Sequence, residues 1–136
     1  MGATMRVATA ADIPQVLDFW RETAEPTSTD SREAVAVLLA RDPGALIVAE
    51  ADGEIVGSVV AGWDGWRGSV YRLAVAERYR RAGLGRALLR AAEARLAELG
   101  ARRMHAIVVG SSHGAVRFWE ASDWAHQRGQ LRYAKG

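Results

Sequence analysis

The chain of 136 residues predicts an α+β fold, a mixed central sheet with an antiparallel N-terminal meander flanked by helices. Three observations predict it. Two helix-periodic segments precede a β-rich stretch punctuated by the turn dipeptides Asp52-Gly53 and Asp64-Gly65. A turn containing Gly83 and Gly85 then leads from a strand into a long amphipathic segment. Strand and helix signals alternate once more to the C-terminus, with no repeat, low-complexity tract or linker, so residues 1–136 are assigned to a single domain. A chain of this length can bury a core sufficient to fold alone.

The elements follow in order. In TAADIPQVLDFWRETAE, Asp12 is the expected N-cap, Pro14 sits in the first turn, and Ile13, Val16, Leu17 and Trp20 recur at helical spacing. The polar PTSTD separates this helix from a shorter one in SREAVAVLLAR, marked by Val35, Leu38 and Leu39. Residues 45–75 read as three strands of a meander, with Tyr71, Leu73 and Val75 alternating onto the core face of the third. From Gly83 the period changes: Leu84, Leu88, Ala92, Leu96 and Leu99 share one helix side, and Gly100 ends it. RRMHAIVV is a short strand, AVRFWEAS a last helix, and the tail from Asp123 is expected to supply one or two final strands.

Composition excludes several functions. Without cysteine there are no disulfides, thiolate metal sites or cysteine nucleophile. His105, His113 and His126 lack the spacings of a zinc site, so no metal is expected. No segment approaches the ~20 apolar residues of a membrane span, and no basic segment followed by an apolar one opens the chain. A soluble cytoplasmic protein without a membrane partner is expected. The net charge is +2, and Lys135 is the sole lysine. The positive charge is arginine, clustered at Arg78, Arg80, Arg81 and Arg86. Guanidinium groups fork onto phosphates and carboxylates, but a nucleic-acid surface wants a wider basic stripe with aromatics, so nucleic acid is not an expected partner. A homodimer is compatible with the sequence.

An arginine cluster before a glycine turn and a helix suits an anion, because backbone N–H groups converge on it at the positive end of the helix dipole. A P-loop is ruled out by the missing Gly-Lys-Ser/Thr. A dinucleotide fingerprint lacks its third glycine, since Leu88 stands there, and a meander precedes the strand. The remaining design is the pyrophosphate arm of acetyl-CoA enzymes, Arg/Gln-x-x-Gly-x-Gly/Ala between a strand and a long helix. Arg80-Arg81-Ala82-Gly83-Leu84-Gly85 matches every defined position.

With this arm, WRGSVYRLAVAERYRRAGLGRALL and SSHGAVRFWEASDW, at the expected separation, the chain resembles the GNAT superfamily of N-acetyltransferases over nearly its whole length. The resemblance implies a GNAT-type acyl-CoA N-acyltransferase fold and transfer of acetyl from acetyl-CoA, a co-substrate, to an amine acceptor. It implies that main-chain groups of Leu73, Ala74 and Val75 flank the pantetheine arm. It further implies that Arg80, Arg81, Ala82, Gly83, Leu84, Gly85 and Arg86 wrap the pyrophosphate, and that Ser112, Ala115 and Phe118 of the closing segment contact the cofactor. The thioester oxygen would meet a strand N–H near Val75.

The departures from the pattern bear on catalysis. Where the closing segment usually carries tyrosine, the acid that protonates the leaving thiolate, the chain has Trp119, whose indole N–H donates a hydrogen bond but is no proton-transfer acid. Residues 65–76 hold no carboxylate to act as base. His105 is the candidate replacement, since imidazole titrates near neutrality, and Ser112 and His113 can donate to the thiolate. For the acceptor, Trp20, Glu25, Asp30 and Trp119 are candidate wall residues, with Trp63 and Trp66 either lining the same cavity or covering the sheet. Three functions remain: acetylation of a small amine, acetylation of a protein N-terminus or lysine, and a module that binds acetyl-CoA with weak or no catalysis.

Overall fold

The computed structural model describes residues 2–108 and 113–136. They fall into two compact units, Met1–Ala106 and Ile107–Gly136. The first unit holds a five-stranded sheet of β1 (Thr4–Val7), β2 (Leu46–Ala51), β3 (Glu54–Trp63), β4 (Gly68–Val75) and β5 (Met104–Ala106), side by side in chain order. The first four strands are antiparallel, and β5 runs parallel to β4. Helices α1 (Ile13–Thr23), α2 (Arg32–Arg41) and α3 (Leu84–Leu99) complete it. The second unit contains α4 (His113–Ala121).

The meander forms where the turn residues demand it. Asp52 and Gly53 both adopt positive φ, 52° and 77°, which matches a two-residue hairpin between β2 and β3. Asp64 closes the β3–β4 turn by accepting the N–H groups of Trp66 and Arg67 at 2.8 and 2.7 Å. Strand β1 carries no buried alternation, all four residues being exposed, so no periodic signal marks it. It forms by pairing with the edge of β2.

The two sheet faces are covered by different helices. A Cβ at Gly57 would lie 2.8 Å from Leu88 Cδ1, and one at Gly68 2.7 Å from Leu96 Cδ1, so α3 rests directly on glycine backbone. The next residue along β3, Ser58, points the other way and bonds Trp20 of α1. Helix α3 therefore covers one face and α1 the opposite face. Leu88, Leu89, Ala92 and Leu96 are fully buried; Leu99, expected on that stripe, is exposed in the last turn before Gly100. Helix α1 starts after Asp12 and α2 after Ser31, whose hydroxyl caps Ala34 N–H at 3.1 Å. At the lower edge Arg95 of α3 binds Asp42, the C-cap of α2, and the Ala61 carbonyl.

Within the second unit, α4 ends in a turn at Asp123, φ 68°, and Ser122 Oγ donates to Phe118 O at 2.7 Å. No strand follows among the described residues, contrary to the final strands expected of the tail. Leu131 and Tyr133, apolar residues of this tail, are 80% and 88% exposed.

Candidate functional site

Strand β4 contains a bulge, and it decides which amides face the open edge. Ser58 stands opposite Ala74 and Val60 opposite Tyr71, so Arg72 and Leu73 together oppose Val59. Arg72 takes up the extra residue with φ 52°, in the left-handed region. Backbone groups alternate between the two edges of a strand. Before the bulge, Gly68 N–H points to the β5 side, donating to Arg103 O at 3.0 Å; after it, Ala76 N–H points to the β3 side, donating to Val56 O at 2.8 Å. The bulge thus switches the parity, and Leu73 and Val75 turn their N–H groups toward β5 while Ala74 faces β3.

Among the described residues no strand receives them. The β4–β5 ladder ends at Val70 with Ala106, so beyond that pair Leu73 and Val75 border a gap among the described residues. Arg80 Nε reaches back to the Val75 carbonyl at 3.2 Å, tying the following turn to the strand end. The same switch overturns the expected core face. Tyr71 is 54% exposed and Leu73 and Val75 are half-buried, whereas Val70, Ala74 and Ala76 are buried.

A hydrogen-bonded chain holds the bulge in place. Trp20 Nε1 donates to Ser58 Oγ at 2.9 Å, and Ser58 Oγ donates to Arg72 O at 2.7 Å. The bulge interrupts the cross-strand ladder at Arg72, and the buried serine supplies a donor to its carbonyl. The Arg72 guanidinium lies over the Trp20 ring, 5.3 Å from its centroid. From there it donates to Glu25 O at 2.9 Å and Thr27 Oγ1 at 3.1 Å, and pairs with Asp30. The segment between α1 and α2 is strapped to β4. Trp20 is therefore a core residue 4% exposed, the Asp30 carboxylate is matched by Arg72, and Glu25 lies at the surface.

The glycine turn follows. Arg81 and Gly83 both have positive φ, 65° and 85°, and α3 begins at Leu84. Its first hydrogen bond runs from Ala87 N–H to Gly83 O at 3.0 Å, so the Leu84 and Gly85 amides precede the helical ladder. A Cβ on Gly83 would meet nothing within 4 Å: the turn is open on its outer side. Arg80, Arg81, Ala82 and Arg86 are exposed around it. This is a surface that can receive a phosphate group. Beside it, a cleft of about 540 Å³ is lined by Glu22, Thr23, Ala76, Glu77, Arg78 and Arg80. Glu22 and Glu77 escaped the sequence reading because only the fold brings the end of α1 to the end of β4.

His105 lies at the other end of the gap. It is the register partner of Ser69, and its Nε2 is 2.9 Å from Ser69 Oγ. Gly68 faces α3, so Ser69 faces the opposite side, as does Tyr71, whose ring borders the Cβ position of Gly62. Trp63 and Trp66 do not join this surface. They line a separate cleft of about 490 Å³ with Arg67, Leu99 and Arg102, at the start of β4, while the cleft beside the glycine turn is at its end.

In the second unit, Trp119 packs edge-on against Trp124 at 4.7 Å and Phe118 at 5.9 Å. Ala115 lies in the first turns of α4. Ser112 lies outside the described residues. Among the described residues no group of three or more His, Asp or Glu side chains could hold a metal ion, and no helix is long and apolar enough to cross a membrane.

Known proteins share this pattern. Residues 13–124 match the family described as Acetyltransferase (GNAT) family. The chain is similar to Acetyltransferase SG1711 of Sodalis glossinidius (strain morsitans), with 30% identity over 133 residues, 96% of this chain and 93% of that protein. Among solved structures it resembles AAC(6')-Iy in complex with the bisubstrate analog CoA-S-monomethyl-acetylneamine, with a TM-score of 0.79 at 15% identity over 100% of this chain and 99% of that one. It also resembles the ribosomal-protein-S18-alanine N-acetyltransferase from Escherichia coli, with a TM-score of 0.71 at 20% identity over 89% and 76% of the two chains. The two structural likenesses establish the fold.

Proposed function

The chain belongs to the GNAT family of acetyltransferases and is an acyltransferase, and from that premise we propose that it transfers acetyl from acetyl-CoA to the primary amine of a small molecule by direct attack. The observation that carries this reading is the gap beyond the Val70–Ala106 pair, bordered by the Leu73 and Val75 amides and leading to the turn at Gly83. An extended arm lying along β4 would pair with those main-chain groups, and its pyrophosphate would meet the first amides of α3. Arg80, Arg81 and Arg86 would add charge at the turn.

The chemistry follows from the groups available. Holding thioester and amine together supplies much of the rate. The Val75 N–H would stabilise the oxyanion that forms on the thioester carbon. Along Gly68–Val75 and Met104–Ala106 the one side chain able to take a proton near neutrality is His105, and it is exposed. We assign it the role of base, acting through water. Ser112, Ala115 and Phe118 are proposed as cofactor contacts, and Glu25 and Trp119 each as an acceptor contact. The match across residues 13–124 supports treating the whole chain as one catalytic domain.

A small acceptor is favoured by the Arg72 strap, which draws the segment holding Thr27 and Asp30 onto β4. Thiol release from acetyl-CoA, measured against a panel of small amines and a panel of peptides, tests the assignment. Turnover with small amines and not with peptides is expected. Preference for peptide N-termini or lysines would move the substrate class to proteins. Micromolar acetyl-CoA binding with no release above background would overturn the enzymatic reading.

A further inference from the structure

Among the described residues of the first unit, Ser58 is the one buried side chain that carries a hydroxyl or a charge, and it stands in the apolar run IVGSVVAG of β3. A hydroxyl in such a place is unfavourable unless it is hydrogen-bonded. Ser58 Oγ accepts Trp20 Nε1–H at 2.9 Å and donates its own proton to Arg72 O at 2.7 Å. Neither bond belongs to the sheet ladder. Alanine or valine would fill this core position without them, so the hydroxyl serves one carbonyl of the bulge.

That carbonyl sets the direction of an amide. A trans peptide is planar and carries its C=O and N–H on opposite sides, so holding Arg72 O toward β3 aims Leu73 N–H away from β3 and into the gap. From there the ladder is regular again, with Ala74 opposite Ser58 and Val75 opposite Gly57. Val75 N–H therefore points the same way as Leu73 N–H. Were the extra residue taken up after Val75 instead of at Arg72, Val75 N–H would turn to β3 and the gap would lose that donor. The Ser58 hydroxyl favours one placement, the one that leaves Arg72 O outside the ladder.

We propose that Ser58 is the positioning residue for the oxyanion donor: its hydroxyl, backed by the Trp20 indole, fixes the bulge at Arg72 and so keeps Val75 N–H aimed at the acyl oxygen. This role rests on the reading that acetyl-CoA lies along β4 with its thioester at Val75. As the amine attacks, the C=O electron pair moves onto oxygen, and it returns when the C–S bond breaks. Only a donor already in place at that moment lowers the barrier. Trp20 N–H, Ser58 O–H and the Arg72–Leu73 peptide also stand head to tail, so each polarises the next and strengthens Leu73 N–H as a donor to the same arm. The guanidinium of Arg72 is held separately, by Glu25 O, Thr27 Oγ1 and Asp30. Those bonds fix its side chain, whereas Ser58 fixes its peptide.

The test uses the full chain and acetyl-CoA labelled with carbon-13 at the thioester carbonyl. The infrared band of the bound carbonyl is expected at lower frequency in the wild type than in Ser58→Ala, with Ser58→Thr close to the wild type. With an accepted amine, Ser58→Ala is expected to lower kcat about tenfold while the KM for acetyl-CoA stays within about twofold. Ser58→Cys separates positioning from packing, because it fills the same space with a weak donor. It should follow Ser58→Ala in band and rate, and it carries the test alone if Ser58→Ala does not fold. A wild-type band and kcat in Ser58→Cys would assign Ser58 to packing and overturn the proposal. Equal bands in the wild type and Ser58→Ala, or an unchanged kcat, would overturn it as well. Absence of acetyl-CoA binding to the wild type would instead overturn β4 as the cofactor strand, and the positioning role with it.

Discussion

Arg72 adopts the left-handed conformation at the β4 bulge and from there pairs with Asp30, 42 residues earlier in the chain. Their side chains are 13% and 18% exposed, so the pair is mostly desolvated and removing one partner strands the other. Arg72→Gly keeps the backbone conformation and removes only the strap. It is expected to cost about 1–3 kcal/mol, less than a fully buried pair because some water reaches it. Proteolysis within 27–30 should accelerate, and the KM for the amine should rise more than that for acetyl-CoA. Equal effects on both would show that the segment does not shape the acceptor side.

Gly83 and Gly85 do different work although they are two residues apart. Gly83 needs φ 85° and has open space where a Cβ would go, whereas Gly85 is in the first turn of α3. Gly83→Val is expected to cost about 1–2 kcal/mol through backbone strain and to weaken acetyl-CoA binding at least tenfold by calorimetry. Gly85→Ala is expected to stabilise the helix by about 0.5–1 kcal/mol. If it also weakens binding, the backbone there approaches the phosphates closely. Unchanged affinity in both variants would refute the phosphate cradle.

The parts of this fold written in local patterns were legible: α1, α2, the β2–β4 meander and α3 follow periodicity, caps and turn dipeptides. The glycine turn was legible because its residue types are fixed by backbone geometry. The bulge was not. Nothing local marks Arg72 as the residue that takes a positive φ, since its partners, Ser58 O–H and the segment holding Asp30, come from remote parts of the chain. A simple alternation carried through it puts Tyr71 in the core and hides the surface on which Ser69 and His105 meet. Trp20 was misjudged for the same reason. Its indole finds Ser58 across the sheet, a contact no spacing reveals.

Acid stability should depend on one pair at the edge of the sheet. Arg6 forks onto Asp12 at 2.8 Å through both terminal nitrogens, and Asp12 also accepts Thr9 N–H at 2.8 Å. The Arg6 hydrogen bonds foremost hold the Asp12 carboxyl down at about 2, from 3.8. A depressed folded-state pKa means stabilisation present above the unfolded value and lost as pH falls from about 4 through 2. Because Arg6 is 39% exposed, the contribution is about 1 kcal/mol rather than the full linkage value. Asp12→Asn should lower stability by that amount at pH 7 and flatten the dependence between pH 4 and 2, as read by urea denaturation.

Arg81 carries a backbone strain that contact of its charge with a bound phosphate is expected to offset. Its φ of 65° costs a non-glycine residue roughly 1 kcal/mol. Arg81→Gly should therefore raise the melting temperature of the free protein while weakening acetyl-CoA binding, and the loss should shrink as ionic strength rises. Weakening that is independent of salt would assign the binding effect to the backbone instead of the guanidinium.

Trp119 stands where the closing segment of the family pattern has tyrosine, and its ring is engaged edge-on with Trp124 at 4.7 Å. Tyrosine retains an aromatic edge for that contact, so Trp119→Tyr should cost no more than about 1 kcal/mol. It adds a phenolic O–H that can protonate a thiolate, which the indole cannot. If thiolate protonation limits turnover, kcat should rise several-fold in the variant and its solvent isotope effect should fall. A lower kcat with an increased KM for the amine would instead assign Trp119 to the acceptor wall.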